Sequence, residues 1–307
     1  NRYRLNLTIK ANVMVTRIVF SGKAATGVEV ESGEEKFVVE GREIVLSAGA
    51  IKSPHLLMLS GVGPADQLNE FDIPVVCELP GVGQNMRDHP QVSMLLQAKD
   101  GVQMDPDAPK RECLLHYTAT GSSVRNDMLI TPSSFATQMG GDPNESIGMS
   151  FSASLYKPAG TGEVRLASPD PHAQPYLDYQ YLEDPWDRQR MREAVRISVR
   201  LLEHDSYQDI IAMRLSPTDE ELATDETLDR WIDDSLRFSS TQHMSGTCKM
   251  GPASDPTAVV DQYCRVHGLD GLRVVDTSVM PDIVCTGTSG TAMMIGERVA
   301  DLMKEQL

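Results

Sequence analysis

At 307 residues, with 40% apolar side chains, the chain can build one large core or two ordinary ones. Its 44 Asp and Glu outnumber 28 Lys and Arg, a net charge of −16, which argues against binding a nucleic-acid backbone, because that needs a basic face. No apolar run approaches the ~20 residues of a membrane-spanning helix, and no G-x-S-x-G elbow of a serine hydrolase occurs.

In chain order, residues 5–46 alternate apolar and polar in "LNLTI", "VMVTRIVF", "ATGVEVE", "KFVVE" and "EIVLSAG". With turns at Ser21-Gly22-Lys23 and Ser32-Gly33-Glu34 this predicts a meander of strands that ends in a buried one. "IKSPHLLMLSGVGP" reads as a short helix with Pro54 in its first turn and Gly61 to Pro64 at its end. Residues 81–90, "GVGQNMRDHP", read as an irregular loop. From about 91 to 180 the pattern is mixed, with Gly- and Pro-rich breaks at 139–143 and 158–162, as expected of a separate lobe. "DRQRMREAVRISVRLLEH" places Met191, Ala194, Val195, Ser198, Leu201 and Leu202 on one helical face. A second helix is expected over 218–236, a strand at "LRVVD" (272–276) and a last helix over Thr288–Leu307 with Ala292, Ile295, Val299 and Leu302 inward.

Five dispersed cysteines, an odd number, suit the reduced thiols of a cytoplasmic protein better than a disulfide framework. Cys264 and His267 have C-x-x-H spacing, but no second close pair accompanies them, so no metal site is expected. "TQHMSGTCKMG" (Thr241–Gly251) sets His243, a titratable imidazole, in a run of small residues. Two readings stand: a satisfied structural histidine, or an acid/base presented by a tight backbone.

"GAIKSPHLLMLSGVGP" (Gly49–Pro64) resembles a diagnostic signature of the glucose–methanol–choline (GMC) oxidoreductases, FAD enzymes that oxidise alcohols. The resemblance continues through "GVGQNMRDHP", "GTGEVRLASPDPHAQPYLDYQYLEDP" and "GTCKMGPASDPTAVVDQYCRVHGLDGLRVVDTSVMP", and is weak only over about 91–155. "GTCKMG" and "CRVHG" look most like the choline dehydrogenase-like branch.

The resemblance implies a mixed α/β fold (α+β in its sheet-based part). Residues 1–90 and 238–307 would be the later part of a GMC-type FAD-binding domain, and 91–237 a sheet-based substrate-binding lobe. FAD is the implied cofactor and a small-molecule alcohol the implied substrate. The Val15 main chain would meet the adenine. Ala48 and Gly49, which lack bulk, would let a dinucleotide lie against the backbone. Asp276 and Thr277 would lie beside the flavin, and the helix opening at Thr288 would aim free N–H groups at its pyrimidine ring. His243 matches the family's general base, a role suited to neutral imidazole near pH 7.

Two departures accompany the resemblance. An ungapped alignment puts Gly287 where the family carries an Asn or His partner to that base, with Thr286 and Thr288 as neighbouring hydroxyls. The G-x-G-x-x-G fingerprint is absent, and in this family it lies near the N-terminus. It is therefore expected in a segment ahead of Asn1, on the same polypeptide or on another chain. Two alternatives follow from the departures: a flavin-dependent lyase or decarboxylase on the same fold, and a non-catalytic fragment or subunit.

Overall fold

The computed structural model describes residues 4–102, 107, 109–136 and 148–305. Strands β1 (Met14–Ser21), β2 (Ala24–Ser32) and β3 (Glu35–Glu40) form the expected antiparallel meander. "LNLTI" is not a strand: Leu5, Leu7 and Ile9 are exposed and outside any ladder. Alternation makes a strand only where one face is buried against something.

After β4 (Ile44–Leu46), helix α1 (Gly49–Leu59) begins earlier than the prolines suggest, and Pro54 lies in its interior. An interior proline frees the carbonyl four residues back. Here Ala50 O is satisfied by a 2.6 Å hydrogen bond from Thr247 Oγ1. The helix ends at Gly61, whose φ of +81° and 2.3 Å approach of Pro74 O to an added Cβ exclude other residues. Strand β5 (Val62–Gly63), helix α2 (Ala65–Glu70) and strand β6 (Cys77–Glu78) follow, β5 pairing parallel to β6.

The middle of the chain is a five-stranded antiparallel sheet. Strands β7 (Gln91–Ala98), β8 (Leu115–Tyr117), β9 (Met128–Ala136) and β10 (Gly148–Leu155) come first. The hairpin β11 (Glu163–Arg165) and β12 (Tyr176–Asp178), then α3 (Pro185–Leu202) and α4 (Asp205–Gln208), precede β13 (Ile211–Ser216). The sheet order is β13-β7-β10-β9-β8. The break expected at 139–143 lies outside the described residues, and 158–162 is a loop as expected.

Asp184 caps α3 by accepting from Trp186 N, with Pro185 at the first helical position. Met191, Ala194, Val195 and Ser198 are buried on its inner face, while Leu201 and Leu202 are half-buried. The single helix expected at 218–236 is two, α5 (Asp219–Leu222) and α6 (Asp225–Leu236). A capping box at Thr224, whose hydroxyl accepts from Thr227 N, restarts the helix there.

The chain returns as β14 (Leu272–Val274), parallel to β4, then a 3₁₀ turn at Thr277–Val279 and α7 (Ser289–Lys304). Ile295, Val299 and Leu302 are its buried stripe, and Ala292 is half-buried. Two apolar clusters result. The first joins β1, β4 and α1 to α7 and to buried residues between Cys248 and Met280, and also takes in Val164 and Leu166 from the β11–β12 region. The second lies between the five-stranded sheet, α3 and α6. Among the described residues no helix is long and apolar enough to cross a membrane.

All five cysteines are free thiols. His267 Nε2 donates to Gly251 O at 3.0 Å, and no cluster of three metal-ligating side chains exists among the described residues.

Candidate active site

Loop 85–90 and loop 240–247 run antiparallel. Arg87 and Ser245 exchange two backbone hydrogen bonds of 2.9 Å, N–H of each to the carbonyl of the other. Two residues further along each strand of this pairing, His89 and His243 are therefore cross-strand neighbours on one face. Their rings meet edge-to-face, with His89 Nδ1 3.0 Å from His243 Nδ1.

Backbone conformation lets the loop approach so closely. Gln242, just before the histidine, has φ +59°, and its N–H donates to Ser240 Oγ at 2.9 Å. Gly246 has φ +84°, and a Cβ there would lie 2.5 Å from Asn85 O. The small residues that made "TQHMSGTCKMG" conspicuous are required by this contact between loops.

Asp88 organises the pair. Its Oδ1 accepts from His89 N (2.8 Å), His243 N (2.8 Å) and Thr241 Oγ1 (3.0 Å). Its Oδ2 accepts from Tyr181 OH and Ser240 Oγ, each at 2.5 Å. The carboxylate is buried with five donors around it, so its desolvation is compensated. Arg87 clasps the neighbouring loop by donating to the carbonyls of Pro158, Ala159 and Gly160. Lys157 holds loop 282–284, pairing with Asp282 at 2.7 Å and donating to Ile283 O at 2.6 Å.

His89 is fully buried, and its ring stacks on Tyr156 with centroids 4.2 Å apart. Burial first, then the nearby His243, pushes its pKa down to about 4. Burial lowers that of His243 too, against the pull of Asp88. His55, on α1, is pushed down to about 4 by burial and then by Lys52.

A depressed histidine pKa has a stability consequence. Between pH 6.5 and 4 the unfolded chain binds protons at His89 and His55 that the folded chain refuses. Stability is therefore fully present above pH 6.5 and is lost as pH falls toward 4, at about 1.4 kcal/mol per pH unit for each fully neutral histidine. Urea unfolding at pH 7, 6 and 5 is expected to show this decline, and His55→Leu to flatten part of it.

The expected site residues fall into two groups. His243 and Gly287 come together: a Cβ on Gly287 would stand 3.7 Å from His243 Nε2, in ordinary contact. Thr288 is buried at the start of α7 without a side-chain cap bond, Thr286 is exposed, and neither has a hydrogen bond to His243 among the described residues.

The second group gathers where β14 and β4 end. Asp276 Oδ2 accepts from Gly49 N (2.9 Å) and Ser53 Oγ (2.6 Å), and Ala48 N donates to Ser53 Oγ. Thr277 Oγ1 donates to Met244 O at 3.0 Å and so links this group to the histidine loop. Val15, more than a third exposed, lines with Ala48 an apolar cleft of about 750 Å³ beside β4 and α1. His243 does not line that cleft. Where a Cβ would stand on Gly49 or Gly290 there is open space.

Asp88 and His89 were missed as functional residues by sequence reasoning. They stand in the quoted "RDHP", but nothing along the chain says that this loop meets His243, 154 residues later.

Two family models described as GMC oxidoreductase match residues 1–91 and 158–296. An oxygen-dependent choline dehydrogenase of Escherichia coli K12 is 35% identical over 329 aligned residues, covering 99% of this chain and 58% of the relative. Among solved structures, pyridoxine 4-oxidase from Mesorbium loti superposes with a TM-score of 0.85 at 27% identity, covering 99% of this chain and 59% of that one. A formate oxidase superposes with a TM-score of 0.87 at 23% identity, a likeness of fold, covering all of this chain and 62% of that one. The chain thus spans somewhat under two thirds of the length of each of these proteins. Family models at both ends, and a relative matched along nearly the whole chain, place it: the chain belongs to the GMC oxidoreductase family.

Proposed function

We propose that the protein is an FAD-dependent oxidoreductase that oxidises the CH–OH group of a small alcohol, with His243 as the general base. The observation that carries this reading is that His243 Nε2 faces Gly287, a residue with no side chain, while its other nitrogen is engaged by His89. One nitrogen is held and the other faces a position without a side chain, as a base that must reach a substrate hydroxyl requires. Its lowered pKa keeps it neutral, and so able to take a proton, at pH 7.

The residues fit the cofactor. The apolar cleft past Val15 and Ala48, the open space over Gly49, and the uncapped start of α7 at Thr288 and Gly290 leave room for a flat dinucleotide along the backbone. Val15, Ala48, Gly49, Asp276, Thr277 and Thr288 would hold it, Asp276 by fixing the α1 terminus against β14. Bound there, FAD would supply the two-electron acceptor. The protein's part is to align the alcohol and to receive its hydroxyl proton at Nε2. The five free thiols agree with a reducing, cytoplasmic setting.

The absence of a side chain at Gly287 favours one second reading, a non-redox lyase on the same fold. Anaerobic addition of alcohols to the FAD-loaded protein separates the two. Bleaching of the flavin is expected; no bleaching by any of a broad panel of alcohols would favour the lyase.

Gly287 does not have a left-handed φ, and an added Cβ meets only His243 at van der Waals distance, so an L-residue fits. Gly287→Asn is therefore expected to place a donor near the developing alkoxide and to raise turnover of small alcohols. Removing such a donor elsewhere costs about 2.7–4 kcal/mol, so a well-aimed one should be visible in the rate. If the glycine instead makes room for a bulky substrate, the same change raises KM for bulky alcohols without altering FAD content.

A further inference from the structure

We propose that His89 is a positioning residue that holds His243 in the tautomer with its proton on Nδ1 and its lone pair on Nε2. The proposal rests on the reading of His243 as the base and says how that base is prepared.

One chain of hydrogen bonds runs from Val284 O through His89 to His243. A backbone carbonyl only accepts, so at the 3.0 Å contact between His89 Nε2 and Val284 O the proton must be on Nε2. His89 is fully buried and neutral at pH 7, so its other nitrogen, Nδ1, carries a lone pair and no proton. The 3.0 Å contact from this atom to His243 Nδ1 is a hydrogen bond only if His243 donates. Neutral His243 then has no proton left for Nε2, the atom that faces Gly287. A carbonyl two residues removed from any reacting atom thus determines which nitrogen of the base is free.

Three further contacts keep His89 from turning. Tyr156 stacks on one face at an interplanar angle of 22°. Asp88 fixes the backbone N–H of both histidines on one oxygen. The paired backbones of Arg87 and Ser245 set the spacing between the two chains. When Nε2 takes the hydroxyl proton of the substrate, the positive ring keeps its Nδ1–H donor bond to a neutral partner. Because that partner is not a carboxylate, it orients His243 without the rise in basicity that a charged partner imposes.

Nitrogen-15 NMR of the histidine rings in the intact protein at pH 7, labelled at histidine and assigned with His243→Asn and His89→Asn, tests this directly. The expected result is His243 protonated at Nδ1 and His89 at Nε2. Either ring in the opposite tautomer, or rapid exchange between tautomers at His243, overturns the proposal.

Substitution adds a second readout. His89→Leu is expected to lower alcohol oxidation on the order of ten- to a hundredfold, the usual scale for losing an orienting partner. His89→Asn, whose amide oxygen can still accept from Nδ1, should recover part of it. No recovery in a folded His89→Asn protein whose His243 keeps its tautomer also counts against the proposal. The two readings fail separately. The expected tautomers with an undiminished rate in His243→Ala would remove the base assignment and leave the tautomer assignment standing. The opposite tautomer with an inactive His243→Ala would do the reverse.

Discussion

His243→Ala is expected to slow alcohol oxidation by the FAD-loaded protein about a hundredfold or more, the scale on which a general base acts. The loss should fall on the reductive step, read by stopped-flow mixing with an alcohol under anaerobic conditions. FAD content should not change, because the groups proposed to hold it are backbone and small side chains around Ala48, Gly49 and Asp276, which His243 does not touch. Stability should fall by about 1–3 kcal/mol near neutral pH, because removing the half-buried ring leaves the fully buried His89 Nδ1 without a donor but strands no charge. An unchanged rate would make the histidine a structural one and remove the proposed function. The pH dependence should carry the same sign: activity is expected to persist below pH 6.5, because burial lowers the pKa at which this base is lost.

Arg190→Met should destabilise the protein by about 3–5 kcal/mol, the usual result of removing one member of a buried ion group. Arg190 is almost wholly buried in α3, with Nη1 2.7 Å from Asp127 Oδ2 and Nη2 2.5 Å from Asp187 Oδ1. Methionine would fill much of the volume but leave two buried carboxylates facing each other. Each retains backbone donors, Ala119 N for Asp127 and the N–H groups of Ala159 and Gly160 for Asp187, which soften the loss without cancelling the charge. Urea unfolding should show the loss at pH 7. Adding Asp127→Asn and Asp187→Asn should restore much of it, since the cost lies in unpaired charge and not in packing. The same network reaches the site: Asp187 fixes residues 159 and 160, whose carbonyls Arg87 grips beside the histidines.

How much could be read in advance differed with the range of the forces involved. The meander was legible because its turns carry Gly22 and Gly33, which both adopt φ +61°, and because its alternation has a buried face to match. "LNLTI" has the same local pattern but no such face, so it misled. The inner faces of α3 and α7 followed from helical spacing, since periodicity in the sequence and burial in the fold have one cause. Pro54 misled because the hydroxyl that permits it belongs to Thr247, nearly two hundred residues away. The break at Thr224 was legible in principle, since the capping box is local.

For the site, the sequence by itself determined which residue types are present and, through motif resemblance, that His243 and Gly287 belong together. By resemblance it also named Ala48, Gly49, Asp276 and Thr277 as cofactor contacts, and the structure joins Asp276 to Gly49 by a hydrogen bond. These are properties of short segments whose residue order carries the information. Only the tertiary structure decided what His243 is bonded to. The pairing of Arg87 with Ser245 brings "RDHP" against "TQHM", Asp88 ties both histidine backbones to one oxygen, and Val284 O sets the direction of every proton along the line. Hydrogen bonds act over about 3 Å in space, at any separation along the chain. The chemical state of the proposed base is therefore a property of the fold, although the histidine itself is visible in the sequence.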